Sequence, residues 1–248
     1  MKIYVINLDR SPERLAETKR QLDAAGLPFE RFPAVDGRAL SPAERREACP
    51  PLRFWLANGF RSVLPGEIGC ALSHRGVWER IADGPGDVAA VFEDDAVLDA
   101  DALRDVLATA ERDDDPAVPT VWLMQEGLPA PARLDGRRFY DILETDDVGH
   151  VFSTRAYALN RAAAKRLAAI LAPVANVADT WSAYARCGVR VLAPVRPCAF
   201  ARKTPSDIGP ASGFLWRFGW YRRRVHWRRW KLSFRLDLLL KRLEGKRP

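Results

Sequence analysis

A chain of 248 residues, 48% of them hydrophobic and 29% charged, carries enough apolar material for one large core or two small ones and has the balance of a soluble globular protein. No apolar run reaches transmembrane length, which excludes a spanning helix, and Met1 leads at once into Lys2-Ile3-Tyr4-Val5-Ile6-Asn7, so no signal peptide is expected ahead of the first strand. The net charge of +7 is uneven: Leu215 to Pro248 holds twelve Lys/Arg and two acids, a net of +10, which leaves −3 on the other 214 residues. Cys49, Cys70, Cys187 and Cys198 are widely spaced with no C-x-x-C pair, so buried free thiols are expected rather than a zinc site or a disulfide framework.

Lys2 to Leu8 reads as the first strand. Ser11-Pro12-Glu13-Arg14 opens a helix, with Ser11 suited to the N-cap, Pro12 to the first turn and Glu13 to the positive end of the dipole. Leu15, Ala16, Leu22 and Ala25 give that helix an apolar face, and Gly26 ends it. Pro28 to Pro33 returns as a strand ahead of Val35-Asp36-Gly37. Strand, helix, strand with short links predicts a βαβ unit and a largely parallel sheet.

Ser41-Pro42 starts a short helix to Cys49. Residues 50–65 are less regular, with Trp55 and Phe60 expected as packed local anchors. A helix begins at Gly66 and reaches Ala82, with Ile68, Leu72, Trp78 and Ile81 near helical spacing. The turn Asp83-Gly84-Pro85-Gly86-Asp87 delivers the chain into the strand Val88 to Phe92. Asp99 to Arg112 reads as a helix and Asp113-Asp114-Asp115-Pro116 as a solvated break. Thr120 to Met124 is a strand that ends at Gln125-Glu126-Gly127, and Arg137 to Leu143 an edge strand. Ser153 to Leu159 is a strand or a tight lead-in to a helix from Arg161 to Leu171. Ala178 to Cys187 is a further helix, and Val189 to Leu192 the last strand, stopped by Pro194 and Pro197. Thr204 to Gly213, with Pro205, Gly209, Pro210 and Gly213, reads as a linker or mobile loop. There are no internal repeats.

The strand Val88-Ala89-Ala90-Val91-Phe92 runs straight into Glu93-Asp94-Asp95. Its unbroken apolar run predicts burial on both faces, and the acids must emerge at its C-terminal end, where open α/β sheets place ligands. Three adjacent carboxylates repel unless a cation or solvent offsets them. One reading is therefore a site for Mg²⁺ or Mn²⁺ and, through the metal, a diphosphate; the other is a solvated acidic turn that ends a strand. No G-x-x-x-x-G-K-[ST] loop is present, which disfavours a P-loop enzyme, and no G-x-G-x-x-G follows the first strand.

Four stretches occur in order: Asn7-Leu8-Asp9-Arg10-Ser11-x-x-Arg14, Ala34-Val35-Asp36-Gly37, Gly66-Glu67-Ile68-Gly69-Cys70-Ala71-Leu72-Ser73-His74, and Phe92-Glu93-Asp94-Asp95. Together they resemble glycosyltransferase family 25, which includes lipooligosaccharide and collagen galactosyltransferases. The resemblance is dense over residues 1–98, thin over 99–148, and resumes at Ala156-Tyr157-Ala158-Leu159 and Asp179. It implies a GT-A-like α/β domain with a Rossmann-like sheet flanked by helices, a UDP-sugar donor (UDP-galactose most often), Mn²⁺ or Mg²⁺, and inversion at the anomeric carbon. On that resemblance Glu93 and Asp95 hold the metal, with Asp94 shaping the turn on the donor side and His150 as a candidate third ligand. Asn7, Leu8, Arg10 and Arg14 lie where a nucleotide would sit, and an arginine there can pair with phosphate; Arg14 is equally a surface residue of the first helix. Asp36, before Gly37, could accept from a ribose hydroxyl or simply form an Asp-Gly turn. Ser73 and His74 are donor contacts or structural hydrogen-bonders. An inverting transfer needs one base, and Asp179 and Glu126 are the candidates, Asp179 preferred although Val177-Ala178 stands where the family has a Pro-Val or Pro-Ile step.

From Leu215 onward, Trp216, Trp220, Trp227, Trp230, Phe234 and Leu238 share one helical face and arginines fill the rest. A basic amphipathic helix of this kind suits an anionic membrane surface, where a lipid-linked glycan acceptor would be met. Packing back on the domain is the second reading, and nucleic-acid binding, which has no recognition motif behind it, the last. The expected organisation is a glycosyltransferase domain over 1–213 and a basic aromatic tail over 214–248. The expected setting is the cytoplasm, at the inner face of the membrane, in cell-surface glycan synthesis. The competing expectation is a non-catalytic binding protein, tethered to membrane or nucleic acid on a degenerate transferase fold.

Overall fold

The computed structural model describes residues 1–58 and 61–202. Its elements in chain order are β1 (Lys2–Asn7), α1 (Pro12–Ala24), β2 (Glu30–Pro33), α2 (Pro42–Ala48), α3 (Pro51–Ala57), α4 (Pro65–Asp83), β3 (Val88–Glu93), β4 (Ala96–Leu98), α5 (Ala100–Arg112), β5 (Thr120–Leu123), β6 (Phe139–Asp141), β7 (Ala156–Asn160), α6 (Arg161–Ile170), α7 (Trp181–Arg186), β8 (Arg190–Pro194) and β9 (Ala199–Ala201). Phe60, the 204–213 linker and the tail from 214 lie outside the described residues. Among those described, no helix is long and apolar enough to cross a membrane.

The described residues divide into two compact units. One comprises Met1–Ala34, Gly76–Ala168 and Asp179–Thr204, and it holds every strand among the described residues. Seven strands form its sheet in the order β2-β1-β3-β7-β5-β8-β6, with β4 and β9 as a separate antiparallel pair. The sheet is mixed, which corrects the expectation of a largely parallel one: β1 runs parallel to β2 and β3, and β5 to β8, but β7 is antiparallel to both β3 and β5, and β6 to β8. The apolar-run signal could not register this. β7 is buried along its whole length, as β3 is over Val88–Phe92, and two-face burial looks the same in either direction. β6 lies at the sheet edge, as read.

Val5, Ala90, Phe92, Leu103, Trp122 and Ala158 are among the residues that build the sheet's main core with α5, whose Asp99 N-cap accepts from the Ala102 N–H at 3.1 Å. A second cluster is aromatic. Trp78 at the end of α4 donates from Nε1 to the Tyr157 hydroxyl at 2.8 Å, and Trp181 stands edge-on to Tyr157 and Tyr184. Such buried pairs contribute about 0.5–1.5 kcal/mol each beyond area burial, and they fix the start of α7 against β7.

The other unit comprises Val35–Arg75 and Ala169–Ala178 among the described residues. Ser41 and Glu44 form a reciprocal capping box on α2. α3 falls where irregular chain was expected. Pro51 stands in the first turn of α3, where a proline costs nothing because its missing N–H has no intrahelical partner anyway. The anchor in α3 is Phe54, 1% exposed, under the Arg61 guanidinium; Trp55, expected to pack, is 42% exposed. Ser11 differs too: it precedes α1 without a side-chain cap, and its carbonyl is used instead, as described below. All four cysteines are free, three of them buried, and burial pushes the Cys49 and Cys198 thiols up to about 12.

Candidate functional site

The strand register assembles the acidic tip. Ile6 of β1 pairs with Glu93 of β3, so the chain just past each strand emerges at the same end of the sheet. Asn7, 2% exposed, joins them: its Nδ2 donates to the Ser11 carbonyl at 2.8 Å and to Asp94 Oδ2 at 2.7 Å. Its Oδ1 accepts from Arg31 Nε of β2 at 3.0 Å. Both amide hydrogens are thus used inside the protein. Asp94, 8% exposed, turns inward: Arg14 lies 3.6 Å from its Oδ1, and Thr18 of α1 donates to its carbonyl at 3.1 Å. The first and fourth motifs therefore interlock through Asn7, Arg14 and Asp94. Leu8 and the exposed Arg10 lie in the turn that follows β1.

With Asp94 held inward, Glu93 and Asp95 are the acids left at the tip. Thr154 Oγ1 donates to Glu93 Oε1 at 2.5 Å. Asp95 Oδ1 is buried without a hydrogen-bond partner, and so is Arg155 Nε, which faces it at 3.8 Å. Burial, and after it the charge of Glu93, push the Asp95 carboxyl up to about 6, against the pull of Arg155 and Arg14.

Residues 152–155 form a strap ahead of β7; Ser153 to Arg155, expected to open the strand itself, lie outside it. Because β7 is antiparallel to β3, with Phe92 opposite Ala156, its N-terminal end lies beside the acids. A parallel β7 would have carried the strap to the far end. Ser153 adopts φ +81°, a left-handed conformation unusual for serine. It is held from both sides: Gln125 Nε2 donates to the Phe152 and Ser153 carbonyls at 3.2 and 2.9 Å, and Trp181 Nε1 to the Ser153 carbonyl at 2.7 Å. The Ser153 N–H donates to Asp179 Oδ2 at 3.1 Å. One short segment thus lies against Asp179, Glu93 and Asp95. Strain of this kind persists only where the surroundings over-determine it, and it gathers at functional sites. No local pattern marks the strap, because its partners are far away in sequence, Glu93 sixty-one residues from Thr154. Glu126, the other candidate base, is exposed, and its Oε1 accepts from the Ala201 N–H of β9 at 2.9 Å. His150, half-exposed, bonds Asp147 through Nδ1 and stands edge-on to Phe152.

The second and third motifs interlock within the other unit. A Cβ on Gly37 would fall 1.8 Å from the Pro65 carbonyl oxygen, and one on Gly69 2.4 Å from that of Val35. Ser73, 1% exposed, donates to the Gly69 carbonyl at 2.7 Å and accepts from the Val35 N–H at 2.8 Å. Asp36 Oδ1 accepts from the Arg38 N–H at 3.0 Å, the local turn that was one of its two readings. His74 is 1% exposed.

The donor chemistry of the tip is that of a hard divalent cation. Glu93 and Asp95 offer carboxylate oxygens, the donor type Mg²⁺ and Mn²⁺ prefer, and the orphaned Asp95 oxygen carries a desolvation cost that a cation would relieve.

Comparison with known proteins agrees with the motifs. A family model described as glycosyltransferase family 25 (LPS biosynthesis protein) matches residues 1–125, half of the chain. A glycosyltransferase 25 family member of Aedes aegypti is 41% identical over 95 residues, covering 38% of this chain and 16% of that protein. Procollagen galactosyltransferase 2 of Homo sapiens is 34% identical over 98 residues, covering 38% and 15%. The match thus takes in only a small part of the length of these relatives. Among solved structures, S. aureus TarS 1-349 in complex with UDP-GlcNAc overlaps 84% of this chain and 60% of that one at 15% identity and a TM-score of 0.46, too loose a likeness to carry an argument. With half of its length matched by the family model, the chain belongs to glycosyltransferase family 25.

Proposed function

We propose that this chain is a metal-dependent hexosyltransferase that moves galactose from UDP-galactose, with inversion, onto a glycan or lipid-linked glycan acceptor of cell-surface polysaccharide synthesis. The observation that carries the reading is the buried, unpartnered Asp95 oxygen beside Glu93 and Asp94. In this reading Glu93 and Asp95 hold Mn²⁺ or Mg²⁺, which when bound offsets charge on the departing diphosphate. Asp94 holds no ligand; tied to Asn7 and Arg14, it fixes the turn that aims its neighbours. Asp179 takes the proton of the acceptor hydroxyl onto its carboxylate, oriented by the Ser153 N–H. Galactose is supported by the galactosyltransferase named among the relatives. The basic, tryptophan-rich residues 215–248 support a cytoplasmic enzyme resting on the inner face of the membrane.

A panel of nucleotide sugars read by thermal shift tests this, since a ligand that binds only the folded state raises the midpoint. Stabilisation by UDP-galactose that requires Mn²⁺ is the expected result. Another UDP-sugar in its place would correct the donor. No response to any nucleotide sugar from folded protein would overturn the reading in favour of a binding protein.

A further inference from the structure

Arg155, which the proposed chemistry leaves without a role, faces Asp95. Each has a buried polar atom without a hydrogen-bond partner, and these two atoms face each other at 3.8 Å, too far apart to bond. Their side chains are 19% and 32% exposed, so both charges are largely withdrawn from water. A buried guanidinium N–H and a buried carboxylate oxygen are each costly to leave unmade. Arg155 belongs to a strap tied down by hydrogen bonds. Its backbone is fixed on either side of Arg155, by the Glu93 N–H bonded to the Arg155 carbonyl at 2.8 Å and by the bonds to Ser153.

We infer that Arg155 is a phosphate-binding residue whose availability depends on the cation: it balances Asp95 when the metal is absent and turns its charge to the diphosphate when the metal is bound. The inference rests on the transferase reading and adds to it an order of binding, cation first. The charges support it. Without a cation, Arg155 lies beside the cluster of Glu93, Asp94 and Asp95, with Arg14 on its inward side at Asp94. A divalent ion on Glu93 and Asp95 cancels the charge that holds the guanidinium. A diphosphate bound to that ion would bring anionic oxygens to the same tip, where a guanidinium can meet two of them at once.

The consequence is a pair of opposite effects from one substitution. Arg155→Gln removes a positive charge beside the ligands, so Mn²⁺ alone should bind more tightly, by about tenfold at low salt. It also removes the phosphate partner, so UDP should bind the Mn²⁺-saturated variant about tenfold or more weakly than the parent. Arg155→Lys keeps the charge and loses the fork, so it should leave Mn²⁺ affinity near the parent's and recover part of the UDP affinity. Calorimetric titration of MnCl₂ and then UDP into parent, Arg155→Gln and Arg155→Lys reads all of these without turnover. If Arg155→Gln weakens both ligands and Arg155→Lys does not restore them, Arg155 only supports the fold and the inference is overturned. Unchanged UDP affinity in Arg155→Gln overturns it as well. A parent that binds neither Mn²⁺ nor UDP is a different outcome, for it removes the transferase reading beneath the inference.

Discussion

The acidic tip and the Val35–Ser73 clasp start from motifs of equal prominence and end as opposite kinds of structure. In the clasp, glycines bring backbones into contact and the Ser73 hydroxyl both donates and accepts, so its polar groups are met within the protein. At the tip, Asn7 and Asp94 are satisfied in the same way, but Asp95 and Arg155 are each left with a buried unpartnered atom. A dense motif therefore marks either packing that tolerates no Cβ or a place where charged groups keep buried atoms without a hydrogen bond. What separates the two is whether polar atoms are satisfied. Gly37 and Ser73 show the first pattern and Asp95 the second, which is why a cation is proposed at Glu93 and Asp95 and not at the clasp.

Breaking the clasp should have the largest effect. Gly37→Ala places a methyl 1.8 Å from a backbone oxygen that cannot rotate away. Destabilisation of about 3 kcal/mol or more is expected, read by chemical denaturation, with loss of soluble protein as the extreme. A near-parental midpoint would show that the backbone there gives more easily than the packing implies. Next comes Asn7→Ala, which leaves Asp94 Oδ2 without its amide donor. A cost of about 1–3 kcal/mol is expected, together with weaker Mn²⁺ binding, because the turn that aims Glu93 and Asp95 loosens.

The smallest effect has an unusual sign. Burial and Glu93 raise the Asp95 carboxyl to about 6 in the folded chain, above its ordinary value of about 3.9. The folded protein then holds this proton more tightly than the unfolded chain, so the contribution to stability is full below about pH 4 and lost as pH rises through about 6. Asp95→Asn, measured without metal, should melt about 2–4 °C above the parent at pH 8, and the gap should close by pH 4. A variant less stable than its parent at pH 8 would mean that the carboxylate is satisfied in the fold, as the clasp's groups are.

Much of this was legible in the sequence, and the losses have physical causes. The acid-tipped strand, its burial and the helices at Pro12, Pro42 and Ala100 followed from apolar runs and start signals, which are local. Strand direction was not, because β7 buries every residue and looks the same whichever way it runs. β4 and β9, three residues each, are too short to show a period. The strap escaped for a deeper reason. Ser153, Thr154 and Arg155 are unremarkable loop residues until an antiparallel β7 sets them beside Glu93, Asp95 and Asp179. The unread direction of β7 thus concealed the segment that lies beside these acids.

The central claim is that Glu93 and Asp95 form a cation site, and titration of MnCl₂ into metal-free protein at pH 7.5 tests it most directly, with Asp95→Ala run beside the parent. The account predicts uptake by the parent and its loss in Asp95→Ala, while the variant's melting curve shows it to be folded. Equal uptake by both proteins would contradict it and leave Glu93-Asp94-Asp95 as a solvated acidic turn at the end of a strand.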